Sequence, residues 1–123
     1  MQTADFVTVL FEGPDNPAKV TVGIMMGVNA QAKGHAAMIV LMVEGVKLAL
    51  PGATEGLAIG APFAPVAELL AKFQAQGGRI GLCASCMAHF GITAEQVIPG
   101  CEVITAGDVV DLLTAAKGSF QVT

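Results

Sequence analysis

The sequence predicts an α/β fold: one three-layer domain over residues 1–123, with a mostly parallel sheet between helices on both faces. Three observations carry this prediction. Short, uninterrupted apolar runs alternate along the chain with longer stretches at helical spacing. The run at residues 37–43 contains no polar side chain, as expected of a central strand covered on both faces. Glycine and proline mark most of the junctions.

Residues 6–11 are apolar and β-branched and read as a buried strand, closed by Glu12-Gly13-Pro14. Asn16 followed by Pro17 is an N-cap with proline at the first helical position. The helix then runs to Lys33, with Gly34 as its C-terminal stop. Val20, Ile24, Met25 and Val28 form its apolar stripe, while Val22 and Met26 lie outside it. Such a helix needs cover on more than one side. Gly23 and Gly27, four apart, open one face to close approach by the chain's own sheet or by a second subunit.

The second strand, residues 37–43, ends at Glu44-Gly45. Residues 46–50 read as a short helix or a strand extension, and residues 57–63 are ambiguous, broken by Gly60 and Pro62. Pro65 opens a helix with Val66, Leu69, Leu70 and Phe73 on one stripe, stopped by Gly77-Gly78. Residues 79–82 form a third strand leading into Cys83, and residues 83–90 read as a short helix ended by Gly91. Thr93 and Gln96 have capping-box spacing. The last strand is placed at residues 102–105. A final helix is placed at residues 108–117, with Gly118 as its stop.

Composition narrows the function. Charged residues are 13% of the chain, against about 25% in an average domain. With 15 glycines added, the apolar set reaches about two-thirds of the chain, and mean hydropathy is +0.68. Disorder is excluded. A net charge of -4 and a pI near 4.9 leave no basic stripe for nucleic acid. The longest stretch free of Asp, Glu, Lys and Arg, residues 80–94, holds Gly81, Ser85, His89, Gly91 and Thr93, so no membrane span is expected. With no export signal in view, the expected compartment is the cytoplasm. Sixteen charges cannot cover the roughly 6,000 Å² of a monomer this size, so apolar surface buried between subunits, hence a homo-oligomer, is expected.

In parallel sheets, ligands bind beyond the carboxyl ends of the strands. No phosphate-binding glycine loop and no G-x-S-x-G stands there, so no bound cofactor is expected. The concentrated feature is Cys83-Ala-Ser-Cys86-Met-Ala-His89, after a strand and at a helix start. A helix N-terminus favours thiolate, the reactive form. Cys83 is the candidate nucleophile. Cys86, one turn on, could resolve a disulfide or pass sulfur, and His89 could polarise either. Cys101 packs as a small hydrophobe or lies near the pair. His35 reads as a loop residue, the methionines as core filler, and Glu12 and Glu44 as solvated strand ends. Were those carboxylates to approach Cys83, they would oppose a low thiol pKa. Two alternatives stay open. C-x2-C-x2-H supplies three metal ligands, although no second C-x2-C accompanies it, so no metal is expected. A thioredoxin-like dithiol is the other, although that motif normally follows an earlier strand.

Three segments resemble the DsrE/DsrF-like family of small sulfur-relay proteins. They are Gly34-His35 leading through the apolar strand to Glu44-Gly45-Val46, Arg79-Ile-Gly-Leu-Cys83 with Gly91-Ile92 eight residues on, and Val97-Ile-Pro-Gly-Cys-Glu-Val103. The resemblance implies trimers or hexamers. It also implies that Cys83 carries sulfur as a persulfide between a donor and an acceptor protein. Cys86 matches a cysteine found in only some members. Phe90 stands where the family has an arginine. The expected function is therefore a sulfur carrier with sulfurtransferase-like chemistry; a non-enzymatic oligomeric module binding a small ligand is the alternative.

Overall fold

The computed structural model covers all 123 residues. Five strands form one sheet in the order β4-β3-β2-β1-β5. They are β1 (Phe6–Leu10), β2 (Ala37–Leu41), β3 (Arg79–Cys83), β4 (Cys101–Ile104) and β5 (Gly118–Val122). Every neighbouring pair is parallel. The helices between them are α1 (Pro17–Ala32), α2 (Val66–Ala75), α3 (Ala84–His89) and α4 (Ala106–Ala115). Two 3-10 turns, Val43–Ala49 and Ala94–Gln96, complete the chain.

The predicted α/β layering is correct. On one face, α1, α2 and the 3-10 turn Val43–Ala49 bury Leu10, Ile39, Leu41, Ile80 and Leu82 of the sheet around Ile24 and Phe73. On the other face, α4 covers Val7, Val9, Met38, Val40 and Ile104 with Val109 and Leu112. β2 is buried at all five positions, because both layers reach it.

Local signals act as read at several places. Asn16 caps α1 by accepting from the Lys19 N–H at 3.3 Å. Gly34 takes a φ of +88° just past its end. Gln96 accepts from the Thr93 N–H at 2.8 Å. The two glycines of α1 serve the chain's own packing. A Cβ on Gly27 would come within 2.9 Å of Phe73 and 3.0 Å of Ile39, and one on Gly23 within 3.2 Å of Leu10. Val22, Met25 and Met26, by contrast, are only half-buried.

The chain end departs from expectation. A fifth strand, β5, pairs with β1, and Gly118 is its first residue rather than a helix stop. Its residues alternate between covered and exposed, ending on the buried Val122, since an edge strand has one apolar face. Phe120 and Val122 supply that face to the core. The last helix also starts two residues earlier than expected. Thr105 is its N-cap, accepting from the Asp108 N–H at 3.1 Å, while Asp108 accepts from the Thr105 N–H at 2.9 Å. Residues 46–49 belong to the 3-10 turn, with Leu50 as its C-cap, and not to a strand extension, and residues 57–63 form no regular element.

The total accessible area is 5967 Å², and Val43, Val103 and Val110 are among the large apolar residues left exposed. No helix is long and apolar enough to cross a membrane.

Candidate functional site

The carboxyl ends of β2 and β3 lie side by side, with Leu41 in register with Leu82. Beyond them the chain turns twice. After β2, Met42 leads into the 3-10 turn that begins at Val43; after β3, Cys83 caps α3. These two turns pack together and form the site.

Cys83 is 2% exposed and belongs to the main core cluster with Met87. Cys86 is half-buried, one helical turn on, and lies on the rim of an open groove of about 390 Å³. Val43, Glu44, Ser85, His89 and Phe90 line the same groove. Burial pushes the Cys86 thiol above its ordinary pKa. A hydrogen bond from the Val43 N–H lowers it, and the neighbouring Cys83 raises it again. That hydrogen bond spans 3.2 Å, from Val43 N to Cys86 Sγ.

Val43 has a φ of +54°, the only non-glycine residue in the left-handed region. A β-branched side chain is strained there. The backbone is held in place by close stacking beneath it. A Cβ on Gly13 would stand 2.6 Å from the Glu44 carbonyl oxygen, and one on Gly45 would overlap the Leu10 carbonyl. Only glycine at both positions lets the loop after β1 and the turn after β2 meet. The sequence points to the helix start as the group favouring a thiolate. α3 has only six residues, and the amide that donates to a sulfur comes from Val43 on another element.

The charges near the pair are matched. Glu44 binds Lys47 at 2.6 Å and Glu12 approaches Lys19 at 3.5 Å, which offsets the carboxylate charge that would oppose a thiolate. Lys47 Nζ also stands 4.4 Å above the Phe90 ring centroid. A cation therefore stands beside the Phe90 side of the groove. Neither Val43 nor Lys47 carried a signal in the sequence, because their roles depend on contacts between separate segments.

His89 is exposed, and its ring meets Phe90 edge-on at 4.9 Å rather than bonding a sulfur. Cys101 does not join the pair. It opens β4 in register with Ile80, whereas Cys83 is in register with Ile104, so it lies three residues down the sheet, about 10 Å away. Burial among Ile24, Leu70 and Ile98 pushes its thiol up to about 11. His35 lies in the exposed loop before β2, at the opposite end of the sheet. No three His, Cys, Asp or Glu side chains are grouped so as to hold a metal ion, so the C-x2-C-x2-H spacing does not form a metal-binding cluster in space.

Comparison with known proteins agrees with this architecture. The sequence model of the DsrE/DsrF-like family matches residues 5–120. The fold is similar to the crystal structure of the YchN protein from E. coli, with a TM-score of 0.76 and 20% identity, over 98% of this chain and 99% of that one. It is also similar to MTH1491, a protein of unknown function from Methanobacterium thermoautotrophicum. That match has a TM-score of 0.69 and 18% identity, over 92% of this chain and 96% of that one. No curated protein sequence matches the chain significantly.

Proposed function

This chain belongs to the DsrE/DsrF-like family, generally one of sulfur relay, and from that premise we propose that it is a sulfur carrier holding sulfane sulfur as a persulfide on its Cys83–Cys86 pair. The observation that carries the reading is the pair itself. Two thiols, one buried and one facing a groove, meet at the carboxyl edge of a parallel sheet, where such folds place their chemistry. Cys83 stores the sulfur. Cys86 discharges it, or closes a protective disulfide with Cys83. The groove is open enough for a donor or acceptor protein to present a cysteine.

The carrier works as a homo-oligomer, a trimer or hexamer, in the cytoplasm. Exposed Val103 and Val110 and the half-buried Val22, Met25 and Met26 support association. Three free cysteines suit a reducing compartment. Light scattering on purified protein tests the assembly, and a monomer at micromolar concentration would rule it out.

The test of the carrier role is intact mass after incubation with a persulfide donor. The protein gains the mass of one sulfur, and the double variant Cys83→Ser/Cys86→Ser gains none. Equal gain in both, or gain in neither, ends the proposal.

A further inference from the structure

The two thiols of the pair are not equivalent. Cys83 is 2% exposed and walled by the core, so a donor in the groove does not reach it directly. Cys86 shares the groove with Glu44, Ser85 and Phe90 and is the sulfur a donor meets first. Its Sγ receives the Val43 N–H at 3.2 Å, from a residue held in a strained backbone conformation. Strain of this kind persists only where the surroundings fix it. Here Gly13 and Gly45 fix it, through contacts too close for any other residue.

We propose that Cys86 is the port through which sulfur enters and leaves, that Val43 is its positioning residue, and that Cys83 is the inner store. The inference rests on the persulfide reading above and assigns an order to it.

The steps balance. The Cys86 thiolate attacks the outer sulfur of a donor persulfide, R–S–SH. The donor S–S bond breaks, an S–S bond forms on Cys86, and the donor leaves as a thiolate that takes a proton from water. The Cys83 thiolate then attacks the outer sulfur on Cys86. That bond breaks as the new one forms, and Cys86 departs as a thiolate facing the Val43 N–H. Each step exchanges one S–S bond for another, with no net oxidation. Attack by Cys83 on the inner sulfur instead gives a Cys83–Cys86 disulfide and releases hydrosulfide, a discharge branch that also balances. An acceptor thiolate reverses the entry steps.

The experiment uses glutathione persulfide as the donor, with rapid quenching, intact mass and peptide mapping of the sulfur. Wild-type protein ends with its sulfur on Cys83. Cys83→Ser gains sulfur on Cys86 at close to the wild-type rate. Cys86→Ser loads at least about tenfold more slowly, because the remaining thiol is inaccessible. In Cys83→Ser, the Val43 backbone amide resonance shifts as Cys86 is loaded, because the sulfur it donates to has changed. If Cys86→Ser loads Cys83 at the wild-type rate, or Cys83→Ser takes up nothing, the port is wrong while the carrier reading survives. An unmoved Val43 resonance removes Val43 from the scheme. A wild-type protein that takes up no sulfur overturns both readings together.

Discussion

The Val43 amide donates to the Cys86 sulfur at 3.2 Å, across 43 residues of sequence. This one contact ties the turn after β2 to the helix after β3. It makes the chemistry of a thiol depend on the packing of a backbone turn.

That dependence is testable at Gly45. A methyl group there would overlap the Leu10 carbonyl, so the turn Val43–Ala49 has to move. Gly45→Ala is expected to cost about 1–3 kcal/mol, the range for an overpacked interior. It is also expected to change the alkylation rate of Cys86. Urea unfolding and thiol alkylation measure the two effects. An unaltered Cys86 rate in a destabilised variant would break the link.

The thiols are expected to differ in pH response. Cys86 lies above its ordinary pKa through burial, and Cys101 is pushed up to about 11 by the same cause. A raised thiol pKa leaves less thiolate at neutral pH, so alkylation of Cys86 keeps rising through the alkaline range. Cys83→Ser removes an upward influence and moves the Cys86 profile to lower pH. Cys101 reacts last. Site-resolved alkylation against pH checks the order.

Arg79 and Glu102 bridge β3 and β4 through two hydrogen bonds of 2.8 and 2.9 Å, and the pair holds the Glu102 carboxyl below its usual range. A depressed carboxylate pKa contributes stability above its unfolded value, which is lost as pH falls through the folded one. Glu102 is 40% exposed, so solvent screens the pair and its worth is below about 1 kcal/mol. Glu102→Gln is expected to lower neutral-pH stability by that amount and to flatten the loss on acidification below about pH 4.3. Melting curves from pH 7 to pH 2 measure it.

Removal of residues 118–123 is expected to be far more costly. It strips β1 of its parallel partner, leaves the Phe11 N–H without the Val122 carbonyl, and takes Phe120 and Val122 from the core. A loss of at least about 3 kcal/mol is expected. The bared edge of β1 also invites association. Thermal unfolding and light scattering report both, and near wild-type stability would contradict the role given to β5.

Much of the fold was legible because local chemistry decides it. Asn16-Pro17, Gly34 and Gly77-Gly78 act on their own neighbours, and a fully apolar run such as residues 37–43 has nowhere to go but the middle of a sheet. β5 escaped because an edge strand buries one face only, and its Ser119 and Gln121 read as chain end.

The sequence by itself determined the α/β layering, the caps of α1 and the position of Cys83 and Cys86 after a strand, because these follow from spacing along the chain. Only the tertiary structure decided which thiol is buried and which meets the groove. It also brought Val43 onto Cys86, placed Lys47 over Phe90, and kept Cys101 apart. Those outcomes depend on strand register and on how closely two backbones stack, and both are set by the packing of segments distant in sequence.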